Sequence, residues 1–250
     1  MTLLWIIAAT FAGGVLSVLL AASLALTVLR RYASVLVSFA VGAMLTTVWL
    51  DLIPEALALG LPPNAIGGWI LLGLLAFFLL EKLALWRHDH SGHAHNHDSP
   101  SHAIAPMIVV GSGLHHFVDG VLIAAAFLAN QHLGIATALA VILHEIPHEM
   151  GDFMVLLSTG MTRRRALLLN ALSGAAMIAG GVLGYLALAQ TRSALPPVLA
   201  LAAASFMYIA IADLVPLMHR QRVARTGLWQ TVLLGLGGGT VMLGIYWAHA

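Results

Sequence analysis

Apolar stretches of about 20 residues recur along this chain of 250 residues and constrain its fold more than any other feature. Each stretch is long enough to cross the hydrocarbon core of a bilayer as a helix. Eight can be drawn, over residues 4–29, 34–53, 65–86, 105–129, 134–158, 166–189, 197–217 and 228–248. Only 8% of the residues are charged, whereas soluble domains carry about 25%. The sequence therefore predicts an all-α polytopic membrane protein with eight transmembrane helices.

Composition also excludes several kinds of site and partner. The chain has no cysteine, so it contains neither a disulfide framework nor a thiolate metal site. Its formal net charge is +1, which argues against nucleic acid as a partner. The expected surroundings are the lipid bilayer, and any metal ligand must come from His, Asp, Glu, Asn or Met.

The basic residues predict the orientation in the membrane, because cytoplasmic loops carry an excess of Lys and Arg. Ten of the 11 basic residues follow odd-numbered apolar stretches, at positions 30, 31, 82, 87, 163–165, 220, 222 and 225. Arg192 is the single exception. We therefore expect the odd-numbered loops in the cytoplasm and both termini outside it, in a bacterial inner membrane or an equivalent one.

Short sequence matches relate the first three stretches to the last three. The paired segments are 13–16 with 180–183, 51–54 with 213–216, and 71–74 with 233–236. Because three helices lie in each half and two between them, the halves would have opposite orientations in the membrane. Inverted repeats of this kind are common in secondary transporters. The pattern predicts a single transmembrane domain in a 3+2+3 arrangement, divided into residues 1–86, a histidine-rich cytoplasmic loop 87–105, a central pair of helices 106–158, and residues 159–250.

Ionisable side chains are concentrated in the central pair. In the fourth stretch His115 and Asp119 are four residues apart and so share a helix face, with His116 beside them. The fifth stretch carries the run from His144 to Asp152, which includes two imidazoles and three carboxylates. A charged side chain at the centre of a bilayer costs about 2.5–3.5 kcal/mol on insertion scales. No Lys or Arg lies in either stretch, so the sequence predicts a bound metal ion.

Two alternatives to metal transport remain open from the residues alone. Residues 144–148 fit the H-E-x-x-H pattern of zinc metalloproteases, in which the Glu activates a zinc-bound water. Pro147 disturbs the straight helix which that geometry needs, and the additional carboxylates Glu149 and Asp152 have no role in hydrolysis. A proton relay without metal would also use Asp, Glu and His. Imidazole combined with carboxylate favours Zn²⁺, and also suits Fe²⁺, Mn²⁺ or Co²⁺.

The pairing of His-His-Phe-Val-Asp-Gly at 115–120 with His-Glu-Ile-Pro-His-Glu-Met-Gly-Asp-Phe at 144–153 resembles the ZIP (Zrt/Irt-like) family of metal transporters, in the subfamily with the HExPHExGD signature. The resemblance implies uptake of divalent metal, chiefly Zn²⁺ and otherwise Fe²⁺, Mn²⁺, Co²⁺ or Cd²⁺, and no enzymatic activity. It implies a primary site of His115, His144, Glu145 and His148. A second site would use His116 and Asp119, with Glu145 and His148 as bridges.

Two further residues complete the expected ligand set. Met44 in the second stretch falls where some family members place a weak ligand, and Glu149 is a further candidate on the fifth stretch. His116 departs from the family pattern, which usually has Asn at this position. A homodimer is one assembly that the sequence leaves open.

A polar segment between the third and fourth stretches holds six histidines. They lie within residues 88–102, which are also rich in Ser, Asp and Asn. Such a composition is typical of metal-binding tracts. We expect this segment to exchange metal with the transport pathway or to sense it, without being essential.

Overall fold

The computed structural model describes residues 1–26, 33–90, 101–219 and 226–249, and helices account for nearly all of them. We number the eight helical rods in chain order. They are α1 (Thr2–Ala25), α2 (Ala33–Thr47, Val48–Leu52 and Ile53–Ala58), α3 (Pro63–His90), α4 (Ser101–Ala129), α5 (Gln131–Ser158), α6 (Arg163–Gln190), α7 (Leu195–Tyr208, Ile209–Leu214 and Val215–His219) and α8 (Thr226–His249). The all-helical prediction is therefore confirmed, with one rod for each apolar stretch.

Several rods are longer than the apolar stretches that predicted them. α3 continues to His90 and α4 begins at Ser101, so both enter the predicted loop 87–105. Residues 91–100, which contain most of the histidine-rich segment, lie outside the described residues. α5 begins at Gln131, because the side chain of Asn130 accepts a hydrogen bond from the backbone N–H of His132 and caps the helix.

Length and composition make six of the eight rods candidates for crossing a membrane: α1, α2, α4, α6, α7 and α8, each over most of its length. Within the residues whose side chains the structure describes, α3 contributes the apolar segment Pro63–Leu79. α5 is not among them, because its histidines and carboxylates lower its mean hydropathy. The helix that carries the run of histidines and carboxylates from His144 to Asp152 is therefore outside this set of candidates.

Three rods contain a turn of π-helix, at Ala12–Leu16, Val48–Leu52 and Ile209–Leu214. The second and third of these turns each end two residues before a proline, Pro54 and Pro216. A proline lacks the N–H that would bond to the carbonyl four residues earlier. The carbonyl four residues before each proline lies within the π turn, where the wider helix changes the hydrogen-bond pattern of the backbone. In contrast, α5 continues as α-helix through Pro147.

Close packing fixes α4, the first of the two central helices, against α6. A β-carbon added to Gly120 of α4 would overlap the carbonyl oxygen of Met177, and one added to Gly180 of α6 would overlap that of Phe117. Glycine at these positions lets the two backbones touch. α5 packs against α4 and also against α1, α2 and α6, so both central helices are surrounded by other rods.

Candidate metal centre

Four side chains from α4 and α5 form the first metal-capable group. Their ligand atoms all lie within 4.8 Å of one another. Nε2 of His144 is 3.2 Å from Oδ2 of Asp119, and Nε2 of His115 is 3.8 Å from the same oxygen. Oε1 of Glu145 is 3.4 Å from Nε2 of His115 and 3.5 Å from Nε2 of His144. Two imidazoles and two carboxylates therefore converge on one point between the helices.

A second group lies next to the first and shares Glu145 with it. It consists of His116, Glu145 and Glu149, all fully buried. Nε2 of His116 lies 2.9 Å from Oε2 of Glu145 and 3.0 Å from Oε1 of Glu149. Glu145 thus presents one carboxylate oxygen to each group. A carboxylate in this position can bridge two cations.

A third group is formed on α5 alone by His148, Glu149 and Asp152. Nδ1 of His148 lies 3.9 Å from Oδ2 of Asp152, and Glu149 is shared with the second group. His148 remains close to the first group as well, because its ring centroid is 5.1 Å from that of His115. The three groups therefore form a continuous row.

Hydrogen bonds to the helix backbone orient two of the imidazoles. Nδ1 of His116 donates to the carbonyl oxygen of Ser112 at 2.7 Å, and Nδ1 of His144 donates to that of Ala140 at 3.2 Å. A carbonyl oxygen only accepts, so each Nδ1 must carry the proton. The Nε2 atoms then face the carboxylates, and each can either donate a second proton to a carboxylate oxygen or share a cation with it. This second contact of a ligating histidine is the usual way in which its orientation is fixed in metal sites.

The carboxylates lack partners other than these imidazoles. Both oxygens of Asp119, Glu145 and Glu149 are buried and accept no well-aligned hydrogen bond within the described part of the chain. Lone pairs of Nε2 atoms facing carboxylate oxygens at about 3 Å repel one another unless a cation lies between them. A buried charge without compensation is costly. The cluster therefore requires protons or a metal ion, and its donor set suits a borderline divalent metal.

The structure places the predicted site residues in a different grouping from the one implied by the family resemblance. Of the expected primary set, His115, His144 and Glu145 lie together, but the fourth position is taken by Asp119 and not by His148. His116 lies beside Glu145, as expected for a second site, and Glu149 lies with it. Which of these side chains bind metal stays a prediction.

Met44 and Asp152 are the remaining cases. Met44 is fully buried in the apolar core on α2, a helix that packs against α5, and its role as a ligand also stays a prediction. Asp152 was not among the expected ligands, although it lies four residues after His148 and so shares its helix face. That spacing is the signal that could have found it.

A cavity of about 360 Å³ lies between α2, α5 and α8, next to the cluster. Leu143, the neighbour of His144, lines one wall, and Asp51 and His132 are among its few polar lining residues. Most of the remaining lining is apolar. An apolar wall gives a cation no ligands, so the cavity does not provide an obvious ion path.

Eight helices around a buried cluster of imidazoles and carboxylates define a multi-pass membrane protein whose interior suits a divalent cation. Comparison with known protein families agrees with this class. The family model described as "ZIP Zinc transporter" matches residues 1–106 and 86–245. The chain belongs to this family. Because the family consists of transporters, the prediction that the chain is not an enzyme is confirmed.

Individual relatives are similar to this chain over much of its length. Human "Zinc transporter ZIP4" is 34% identical over 276 aligned positions, which cover 82% of this chain and 42% of the relative. "Zinc transporter YKE4" of Saccharomyces cerevisiae is 31% identical over 208 positions, covering 73% of this chain and 60% of the relative. "Zinc transporter ZIP10" of Danio rerio is 43% identical over 116 positions, 46% of this chain and 14% of the relative. The chain thus spans less than two thirds of each of these relatives.

Proposed function

We propose that this protein carries zinc across the membrane into the cytoplasm, and that the ion binds between α4 and α5 on its way. Relatives named as zinc transporters support the choice of ion. The side chains support it independently, because imidazole with carboxylate is a common donor set for Zn²⁺. Fe²⁺, Mn²⁺, Co²⁺ and Cd²⁺ are alternative substrates for the same donors. We infer that the chain belongs to the branch of the family with the HExPHExGD signature.

The geometry of the first group carries this proposal. A tetrahedral zinc ion with bonds of about 2.0–2.2 Å holds its ligand atoms about 3.3–3.6 Å apart. The four separations between imidazole nitrogen and carboxylate oxygen are 3.2, 3.4, 3.5 and 3.8 Å. An ion could therefore enter this group with only small movements of the side chains.

The second group supports a binuclear centre. Its two nitrogen–oxygen separations, 2.9 and 3.0 Å, are those of hydrogen bonds, so an ion would have to spread these ligands by a few tenths of an ångström. Glu145 would bridge the two ions through its two carboxylate oxygens. We propose that the first group is filled first, because its atoms already lie at suitable distances.

The same contacts disfavour a metalloprotease. In the H-E-x-x-H pattern both histidines bind one ion while the Glu acts on a water molecule. Here His144 and His148 belong to different metal-capable groups. Glu145 faces three imidazoles directly and leaves no position for an attacking water between itself and an ion.

Packing contacts support the proposed inverted repeat. If α1 and α6 are equivalent, then Gly14 corresponds to Gly181 and Thr10 to Met177. A β-carbon at Gly14 would touch Met177, and one at Gly181 would touch Thr10, so each contact is the symmetry mate of the other. The π turns of α2 and α7 also lie at equivalent positions, just before Pro54 and Pro216.

Alternating access would follow from this arrangement. The central helices α4 and α5, with α1 and α6 packed on them, would move relative to α2, α3, α7 and α8. α7, which contacts α4, carries fully buried alanines, and such small side chains offer little resistance to sliding. We propose an inner-membrane location with the ends of this chain outside the cytoplasm. Assembly as a homodimer stays a prediction.

Flux into proteoliposomes tests the proposal. Purified protein should admit ⁶⁵Zn²⁺, and unlabelled Zn²⁺ or Cd²⁺ should compete, whereas Mg²⁺ and Ca²⁺ should not, because they prefer sites made entirely of oxygen ligands. Because the chain has no cysteine, pairs of cysteines can be introduced to link α2 to α5 without background disulfides. Linking them should stop uptake if the bundles slide. Absence of ⁶⁵Zn²⁺ uptake by the wild type would overturn the proposed function.

A further inference from the structure

The third group differs from the first two in its exposure. Glu149 is fully buried, whereas the side chains of His148 and Asp152 are 33% and 21% exposed. In the first group only His115 is exposed, at 19%, and the second group is fully buried, so the third group is the most open of the three. An ion at the third group would be held by one buried ligand, Glu149, and by two partly exposed ligands, His148 and Asp152.

Shared ligands connect the three groups without a gap. Glu145 belongs to the first and second groups, and Glu149 belongs to the second and third. An ion could therefore move from one group to the next while keeping at least one carboxylate bound. This matters in a bilayer, because a divalent ion that loses all its ligands at once would face a large desolvation cost.

The third group lies toward one particular end of α5. His148, Glu149 and Asp152 follow Glu145 by three to seven residues, which places them about 5–10 Å further along the helix axis. α5 then ends at Ser158, and Arg163, Arg164 and Arg165 begin the next helix. Clustered basic residues mark the cytoplasmic side.

The unsatisfied atoms of this group point to a ligand. Nδ1 of His148 and both carboxylate oxygens of Glu149 are buried without a well-aligned hydrogen bond from the described residues. Nδ1 of His148 lies 3.9 Å from Oδ2 of Asp152, which is too long for a direct hydrogen bond. The two atoms would need to move only slightly closer to bind the same metal ion. One imidazole and two carboxylates are sufficient protein ligands for a site that keeps an open position for water.

We propose that His148, Glu149 and Asp152 form a third metal position on the cytoplasmic side of the cluster, which takes over the transported ion through Glu149. This position rests on the proposed transport function. Its partial exposure suits release, since water can replace the protein ligands one at a time. His148 and Asp152 belong to this position alone, but the ring of His148 also lies 5.1 Å from that of His115, so Asp152 is the more selective residue to change.

Asp152→Asn is therefore the selective test. The variant and the wild type are reconstituted in nanodiscs and loaded with ¹¹³Cd²⁺, and the cadmium resonances are counted by NMR. Zinc uptake is measured in parallel in proteoliposomes. We expect Asp152→Asn to lose one cadmium resonance and to keep the others. Zinc transport should be about tenfold slower, because loss of a residue that supports a metal ligand lowers metal affinity or activity by about 10–100-fold. Asp152→Glu should restore both, because it returns a carboxylate.

The control variant is Glu55→Gln, which removes a carboxylate from α2 outside all three groups. It should change neither the spectrum nor uptake. If Asp152→Asn keeps every resonance and the wild-type rate, the third position does not exist. If its thermal stability falls together with uptake while Asp152→Glu fails to recover the resonance, the residue is structural and the proposal is also overturned. Absence of uptake by the wild type would instead refute the transport function on which this position depends.

Discussion

Nε2 of His144 lies 3.2 Å from Oδ2 of Asp119, and both side chains are fully buried although they come from different helices. This contact requires α4 and α5 to face each other with a defined rotation. It also juxtaposes an imidazole nitrogen, whose other ring nitrogen donates to Ala140, with a carboxylate oxygen. A cation between the two residues would stabilise this arrangement more directly than any other group that the membrane interior can offer.

Asp119 is expected to be essential for metal binding. Asp119→Asn keeps the shape of the side chain but replaces a charged ligand with a neutral one. Even the loss of a residue that only supports a ligand lowers metal affinity by about 10–100-fold, so we expect a loss at the upper end of that range or beyond it. Zinc titration of the purified protein by calorimetry measures the affinity. Near wild-type affinity in this variant would mean that Asp119 does not hold the ion.

The substitution Glu145→Gln tests whether Glu145 serves one metal position or bridges two. If the two oxygens of Glu145 bridge two ions, its loss should weaken both positions, whereas Glu149→Gln should spare the first group. Counting bound Co²⁺ by its visible absorption and by elemental analysis measures this difference. Glu55→Gln serves as the control, since it removes a carboxylate from outside the cluster. Because Glu149 also joins two groups, the identity of the lost ion decides and not the number of ions. Loss of the tightest-bound Co²⁺ in Glu149→Gln, or its retention in Glu145→Gln, would contradict this assignment.

The histidine-rich segment should change the rate of zinc transport but should not be required for it. Deleting residues 88–102 would also remove helical residues at the ends of α3 and α4, so substitution is the cleaner change. His93, His95 and His97, which lie outside the described residues, can be replaced together by Gln. We expect ⁶⁵Zn²⁺ uptake to persist with an altered initial rate, and the metal content of the cluster to stay the same. Complete loss of uptake would show that the segment is an obligatory part of the pathway.

The sequence predicted the helices and the two helices that carry the ionisable cluster, because both depend on local information. Apolar stretches of about 20 residues identify membrane helices wherever they pack. Likewise, His115 and Asp119 must share a face of α4, because four residues make about one helical turn. These inferences needed nothing beyond the spacing of residues along one helix.

The grouping of the ligands depends on tertiary contacts that spacing does not contain. Asp119 of α4 lies with His144 and Glu145 of α5 because of how far the two helices are rotated about their axes. That rotation is determined by their packing against other helices, for example where Gly120 of α4 meets the backbone of α6 at Met177. The π turns are a similar case, because they change the helical period without changing the apolar pattern.

Because the ligand positions depend on helix packing, a substitution away from the ligands should also affect metal binding. A methyl group at Gly180 of α6 would overlap the carbonyl oxygen of Phe117 on α4, between His116 and Asp119. A backbone carbonyl cannot rotate away, so Gly180→Ala should separate the helices, destabilise the protein by about 1–3 kcal/mol and weaken zinc binding. Thermal unfolding followed by size-exclusion chromatography measures stability. Gly239→Ala on α8, where the added methyl meets no described atom within 4 Å, is the matched control and should leave both properties unchanged. If the two variants behave alike, the contact between α4 and α6 does not position the metal ligands.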